Sequence, residues 1–176
     1  MDLDLTDKIA VVTGASQGIG AAVVRQLADA GAHVAFCARG QEAVDELAAY
    51  APEHGGGSVL GAVCDMRDGA AIEGFLDTVE GELGAPDILV NNVGASPSRN
   101  FLYMRDADWE ALHQLNVMSA VRCSRRVIPA MRKAGWGRIV MVSSPAAFYP
   151  NPATIDYAAT KAAMISTAKA LATKYG

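Results

Sequence analysis

Short, nearly continuous hydrophobic runs alternate along this chain with longer stretches whose apolar residues recur at three- and four-residue intervals. The runs are 9–13, 33–37, 59–63, 88–91 and 139–142. A run that is apolar at almost every position suits a strand buried on both faces, because successive side chains point to opposite sides of a sheet. The helical pattern occupies 19–30, 41–50, 68–83 and 107–133, and a last helix carries Tyr157 and Lys161. Strict strand–helix alternation implies right-handed crossovers and a parallel sheet. The predicted architecture is therefore a doubly wound, Rossmann-type α/β fold with helices on both faces, in a single domain. Breakers mark the joints: Gly31 ends the first helix, His54-Gly55-Gly56-Gly57 forms a loop, and Gly84-Ala85-Pro86 separates helix from strand. Pro129 is expected to kink or interrupt the helix that begins near Ala107.

Composition narrows the function classes. With 176 residues, 51% of them hydrophobic, and a mean hydropathy of +0.17, the chain has ample apolar material for one core and is not a disordered tail. A net charge of -4 argues against a nucleic-acid partner. The nearest basic cluster, Arg122, Arg125 and Arg126, follows helical spacing without aromatic neighbours and reads as a solvated helix face. Cys37, Cys64 and Cys123 lack short paired spacings and fit buried thiols in a reducing cytoplasm. His33, His54 and His113 lie far apart with no second ligand at metal spacing, so no metal is expected. The first residues, 1–7, are polar and acidic, and no apolar run approaches membrane-spanning length, which predicts a soluble, unexported protein.

Two constellations carry chemistry. Thr13-Gly14-Ala15-Ser16-Gln17-Gly18-Ile19-Gly20 lies between the first strand and first helix. Glycines there permit a tight turn and let backbone amides approach a pyrophosphate at the helix N-terminus. Gly14, Ser16, Gln17, Gly18, Ile19 and Gly20 are thus candidate cofactor-binding residues. After the second strand, where a carboxylate would grip a ribose 2′-hydroxyl, the chain reads Phe36-Cys37-Ala38-Arg39. Arg39 favours a 2′-phosphate, hence NADP(H) over NAD(H), its bland alternative being a solvated arginine at a helix start. Asp65, after the third strand, is a candidate partner for the adenine amino group, with the Met66 backbone beside it.

In the second constellation, Tyr157 and Lys161 are four residues apart on one helix face, and Ser144 lies thirteen positions upstream. This spaces an acid, a cation and a hydroxyl for carbonyl chemistry. A nearby positive charge favours ionisation of a phenol.

Together these motifs resemble the short-chain dehydrogenase/reductase family. The match runs in order through Thr13 to Gly20, Asp65, Asn91-Asn92-Val93-Gly94, Asn116, Ser144, Tyr157 and Lys161, almost the whole chain. Val93 departs from the family's usual alanine, a change expected to alter packing near the cofactor and leave the chemistry intact. The resemblance implies that Tyr157 is the general acid or base and that Lys161 supplies charge and contacts the nicotinamide ribose. It implies that Ser144 holds the substrate oxygen and that Asn116 positions a water for proton return. Ser143 could replace Ser144 if the loop shifted by one, and Asn116 could simply satisfy backbone groups. Asn92 and Gly94 are expected near the cofactor, Asn91 at the strand end.

By the family pattern, roughly the last third of the usual chain, two strands, a substrate-covering loop and a helix, is absent. Strand 139–142 would then be an open edge. Either the sequence is part of a longer protein, which a bare buried strand favours, or oligomer packing covers it. The family also implies a homo-oligomer, dimer or tetramer, packing through the helix from Ala107 and the helix carrying Lys161. The face Ala162, Ala163, Met164 and Ala168 fits such a contact or an intramolecular core equally. The function expected is an NADP(H)-dependent reductase of a small-molecule carbonyl, or dehydrogenase of the alcohol. The 3-oxoacyl thioester reductases are the nearest resemblance, and steroid, sugar and xenobiotic reductases share the same motifs. The alternative is a nucleotide-binding scaffold without turnover.

Overall fold

A computed structural model describes residues 4–50, 52 and 57–176. The predicted loop residues His54 to Gly56 lie outside the described residues. Strands β1 (Ile9–Thr13), β2 (His33–Ala38), β3 (Val59–Val63), β4 (Ile88–Asn91) and β5 (Arg138–Met141) form one parallel sheet in the order β3-β2-β1-β4-β5. Helices α1 (Gly18–Asp29), α2 (Gln41–Ala48), α3 (Gly69–Glu82), α4 (Asp106–His113), α5 (Ser119–Ala134) and α6 (Ile155–Tyr175) connect and cover it. Each sequence-derived strand is present within a residue of its expected ends.

The continuous hydrophobicity of the strands has the cause expected of it. In β1, Ala10 and Val12 face a layer with Val34 and Phe36 of β2, Val24 and Ala28 of α1, and Val44 of α2. Val11 points the other way, in register with Ala35 and Leu89, into a layer closed by Ile72 and Leu76 of α3 and Val127 of α5. All of these side chains are at most 3% exposed, so both sheet faces are dry. Burying a Val, Leu or Phe contributes roughly 1.5–3 kcal/mol each, which makes this two-sided packing the main source of stability.

The three cysteines are free and buried. Desolvation pushes the Cys123 thiol up to about 12, and the Cys37 thiol is raised by hydrogen bonding with the Cys64 thiol and by burial. No helix among the described residues is long and apolar enough to cross a membrane.

Three expectations need correction. The stretch 107–133 is not one helix: α4 passes through a π turn, Gln114–Met118, into α5. The wider turn displaces the backbone ladder, and the Ser119 hydroxyl donates to Leu115 O at 2.5 Å, supplying a partner there. Pro129 does not interrupt α5, which continues to Ala134. The residue whose carbonyl loses a helical partner, Arg125, lies with Pro129 on the exposed face, within reach of water. Finally, Arg126 is no free member of a solvated basic face. Its guanidinium binds Glu73, Asp77 and Glu80 of α3, joining two helices.

β5 lies at the sheet edge, with β4 as its strand partner, and Val140 is 48% exposed. The chain reverses direction between β1 and β4: β2 and β3 add on one side of β1, β4 and β5 on the other. That switch point opens a crevice at the carboxyl ends of the strands, the place where α/β sheets bind ligands.

Candidate active site

The loop after β1 fills the floor of this crevice. Gly14 has φ of 68°, and a Cβ there would lie 2.7 Å from Val93 Cα. At Gly20 a Cβ would lie 2.6 Å from Asn92 Nδ2 and 2.7 Å from Gly14 O, so these two glycines are demanded by close packing. Asn92 is the clamp: its amide donates to Thr13 O at 3.1 Å and Gly14 O at 2.8 Å. The Thr13 hydroxyl accepts from the backbone N–H of Asn92 and of Val93, coupling β1 to the segment after β4. Val93 thus packs against the glycine loop itself.

Gly18 differs. Its φ is 59°, yet a Cβ there would meet no protein atom within 4 Å. Ser16, Gln17, Gly18 and Ile19 are exposed, Ile19 by 65%, and among the described residues no side chain caps the start of α1. A helix start leaves its first N–H groups without helical partners and carries a partial positive charge. An uncapped, exposed start beside a left-handed glycine fits a pyrophosphate, which would accept from those amides.

Further along the carboxyl edge, Arg39 follows β2 and is exposed, while Asp65 follows β3. Arg67 forks onto Asp65, with Nη2 2.5 Å from Oδ2 and Nε 3.0 Å from Oδ1, and its own N–H donates to Oδ1. These bonds, with the charges of Arg67 and Arg39, hold the Asp65 carboxyl down at about 2. The predicted adenine partner therefore already has a strong partner two residues away. The Met66 side chain is buried, its sulfur 3.4 Å from Cys37 Sγ and 3.7 Å from Cys64 Sγ.

Tyr157, Thr160 and Lys161 stand together on α6. Lys161 is 3% exposed, its Nζ donates to Val142 O at 2.8 Å, and it stands 5.8 Å from the centroid of the Tyr157 ring. Burial lowers the Lys161 pKa, so its cation relies on that carbonyl and on the ring face for compensation. Gly94 makes the approach possible, since a Cβ there would lie 3.3 Å from Lys161 Nζ and 3.4 Å from Asn116 Oδ1. Asn116, fully buried in the π turn, accepts from Ala95 N at 2.9 Å and donates to Ala95 O and to Thr160 Oγ1, both at 3.0 Å. Thr160 in turn donates to Tyr157 O at 2.7 Å.

The two serines after β5 separate cleanly. Ser143 spends its hydroxyl on Lys161 O at 2.9 Å. The Ser144 hydroxyl accepts from Ala146 N at 3.1 Å, which leaves its own hydrogen to donate. Asn91 sits at the end of β4, where its amide donates to Ser124 Oγ at 3.3 Å.

Sequence reading missed Thr160, Arg67, Arg99 and Asp156. Thr160 had a signal, standing three residues after Tyr157 on the same helix. Arg67 stands two residues from its partner Asp65, a local signal as well, whereas Arg99 and Asp156 meet only once the chain is folded. Among the described residues no group of three His, Cys, Asp or Glu side chains could hold a metal ion.

The chain is similar to known proteins along almost its whole length. The family model described as short chain dehydrogenase matches residues 8–176. The uncharacterized oxidoreductase YvrD of Bacillus subtilis is 38% identical over 176 residues, covering 98% of this chain and 64% of its own length. The 3-oxoacyl-(acyl-carrier-protein) reductase FabG of Escherichia coli is 36% identical over 170 residues, 97% of this chain and 68% of that protein. Among solved structures, L-sorbose reductase from Gluconobacter frateurii, crystallised with NADPH and L-sorbose, superposes with a TM-score of 0.93 at 35% identity, over 99% of this chain and 66% of that one. The chain thus spans about two thirds of the length of the relatives it matches. An uncapped glycine loop at the switch point, a Tyr157–Lys161 face on α6 and a match over nearly every residue lead to one assignment: the chain belongs to the short-chain dehydrogenase family.

Proposed function

We propose that the protein is an NADP(H)-dependent oxidoreductase that interconverts a small-molecule ketone and its secondary alcohol. The observation that carries this reading is the convergence of Lys161, Asn116 and Thr160 on the helix of Tyr157, beside a helix start whose amides are open to a pyrophosphate. When bound, the nicotinamide nucleotide supplies hydride to the carbonyl carbon, or accepts it in the reverse direction. The protein's own residues do the rest. Tyr157 gives its phenolic proton to the substrate oxygen as negative charge develops there. Ser144, its acceptor side fixed by Ala146 N, donates to that same oxygen. Lys161 offsets charge on Tyr157 and holds the nicotinamide ribose, while Asn116, across Gly94 from Lys161, positions a water that returns the proton.

Removal of one donor to a developing oxyanion costs on the order of 10²–10³ in turnover. Ser144→Ala should show a loss of that size. Ser143→Ala loses only a bond to a helix carbonyl, worth about 1 kcal/mol, and should retain turnover. Steady-state NADPH oxidation by the two variants checks the assignment, and the reverse ranking would contradict it.

For the nucleotide, Gly18 and Ile19 would line the pyrophosphate and nicotinamide side, with Ser16 and Gln17 at the loop's rim. Arg39 would bind the 2′-phosphate, which a chain lacking a carboxylate after β2 favours over a bare ribose. The NADPH in the sorbose reductase crystal supports the same preference. A charge-assisted bond contributes about 1.5–3 kcal/mol, so Arg39→Ala should weaken NADPH binding roughly 10- to 150-fold and leave NADH nearly unchanged. Fluorescence titration with both nucleotides measures this, and equal losses would remove the 2′-phosphate contact.

The relatives differ in activity, so the substrate is sought among a 3-oxoacyl thioester, L-sorbose and a steroid ketone. Turnover on one of these tests the reading, whereas nucleotide binding without turnover on any ketone would identify a scaffold. We further propose a homo-oligomer in the cytoplasm. The buried free thiols suit a reducing compartment, and Ala162 is exposed on α6 whereas Met164 belongs to the core.

A further inference from the structure

The segment between β4 and the short 3-10 turn Phe101–Tyr103 has no regular structure, yet it is fastened at intervals. Asn92 holds the glycine loop, Ala95 is held by Asn116, and Arg99 reaches α6. There Arg99 Nη1 donates to Asp156 Oδ2 at 2.8 Å, and Arg99 N donates to Ala153 O at 2.9 Å. Asp156 is fully buried and directly precedes Tyr157. Its other oxygen accepts the N–H of Tyr157 at 2.8 Å.

This arrangement replaces an ordinary helix cap. Thr154, at the N-cap position of α6, makes no side-chain capping bond. The first turn of α6 is anchored by the Asp156 carboxylate, and a buried carboxylate persists only with a cation beside it. From the opposite side, Ser143 binds Lys161 O and Lys161 binds Val142 O, so the end of β5 holds the same two turns. A buried ion pair is weak evidence for net stability, since apolar residues often substitute for it at no loss. What it does provide is a fixed position.

We propose that Arg99 and Asp156 are positioning residues, an ion-pair latch that joins the segment after β4 to the first turn of α6 and so sets where Tyr157 stands over its substrate. This rests on the reading of Tyr157 as the general acid. One donor of Arg99 makes the bond to Asp156, so lysine, a single-point cation, is able to restore it in part.

The test compares Asp156→Asn, Arg99→Gln, Arg99→Lys and the double variant Arg99→Gln with Asp156→Asn. A misplacement of about 1 Å at an active site lowers turnover on the order of 10²-fold. The two neutral single variants should therefore lose about 10- to 100-fold in kcat while the nucleotide Kd stays within about twofold. Arg99→Lys should recover most of the loss, and the double variant should be no worse than the poorer single one, because the pair acts as a unit. Unchanged kcat in both single variants would overturn the proposal. So would equal losses in kcat, nucleotide affinity and Tm, the mark of a general structural defect. Amide hydrogen exchange separates this proposal from the function it rests on. If the unmodified protein reduces no carbonyl, the proposed function fails by itself. The latch still requires that Asp156→Asn speed exchange in 155–161 more than in the rest of α6, and uniform or unchanged exchange would refute it.

Discussion

Tyr157→Phe is expected to lower carbonyl reduction by about a hundred- to ten-thousand-fold, the range that general acid catalysis contributes, while leaving nucleotide affinity close to that of the unmodified protein. The substitution removes a single oxygen. The ring that Lys161 faces at 5.8 Å remains, as do the Lys161 bond to Val142 O and the Thr160 bond to Tyr157 O. The loss should therefore fall on kcat, since the missing interaction is made only as charge develops on the substrate oxygen. NADPH oxidation read beside a fluorescence titration of NADPH separates the two quantities. Turnover at the original rate would mean that another group donates the proton. Loss of nucleotide binding would mean that the phenol holds the cofactor rather than the substrate.

The second large effect separates two glycines that look alike in the sequence. Gly20→Ala would force a methyl group to within 2.6 Å of Asn92 Nδ2 and 2.7 Å of Gly14 O, two of the atoms that clamp the loop to the segment after β4. Overpacking of this kind costs about 1–3 kcal/mol, which at roughly 2–4 °C per kcal/mol lowers Tm by several degrees, and the distorted loop should bind NADPH weakly. Gly18→Ala meets open space, so its cost to the fold is mainly that of a left-handed backbone, about 1–2 kcal/mol. On the proposed reading, however, its methyl group would intrude on a pyrophosphate held at the start of α1. The expected pattern is a larger loss of NADPH affinity for Gly18→Ala than its change in Tm accounts for, with Gly20→Ala losing both together. Thermal unfolding and titration of the same samples read this out. Normal affinity in Gly18→Ala would displace the pyrophosphate from the start of α1.

The sheet was legible because its signal is one-dimensional. Alternate residues of β1 enter opposite core layers, and an apolar run records that directly. The π turn was not, because apolar residues keep helical spacing on both sides of 114–118 and a shift of one residue leaves no compositional mark. The same distinction runs through the site. Tyr157, Lys161 and the glycine loop are local patterns that the chain displays openly. Asp156 looks like an ordinary acidic residue in a helix's first turn, and only folding brings Arg99 to it from 57 positions away. The motif of Asn92 suggests a place near the cofactor, and only folding shows its amide donating to Thr13 O and Gly14 O, 79 and 78 positions distant. Spacing to Tyr157 favours Ser144 over Ser143 in the sequence, and in the fold the Ser143 hydroxyl is the one that Lys161 O claims.

The most direct test of hydride transfer uses NADPH carrying deuterium at the transferring carbon of its nicotinamide. The protein would be incubated with this nucleotide and a panel of ketones that includes a 3-oxoacyl thioester, and the products read by mass spectrometry. An alcohol bearing deuterium on its carbinol carbon, formed by the unmodified protein and strongly reduced with Tyr157→Phe, is the predicted result. NADPH that binds yet yields no deuterated alcohol from any ketone would contradict the account.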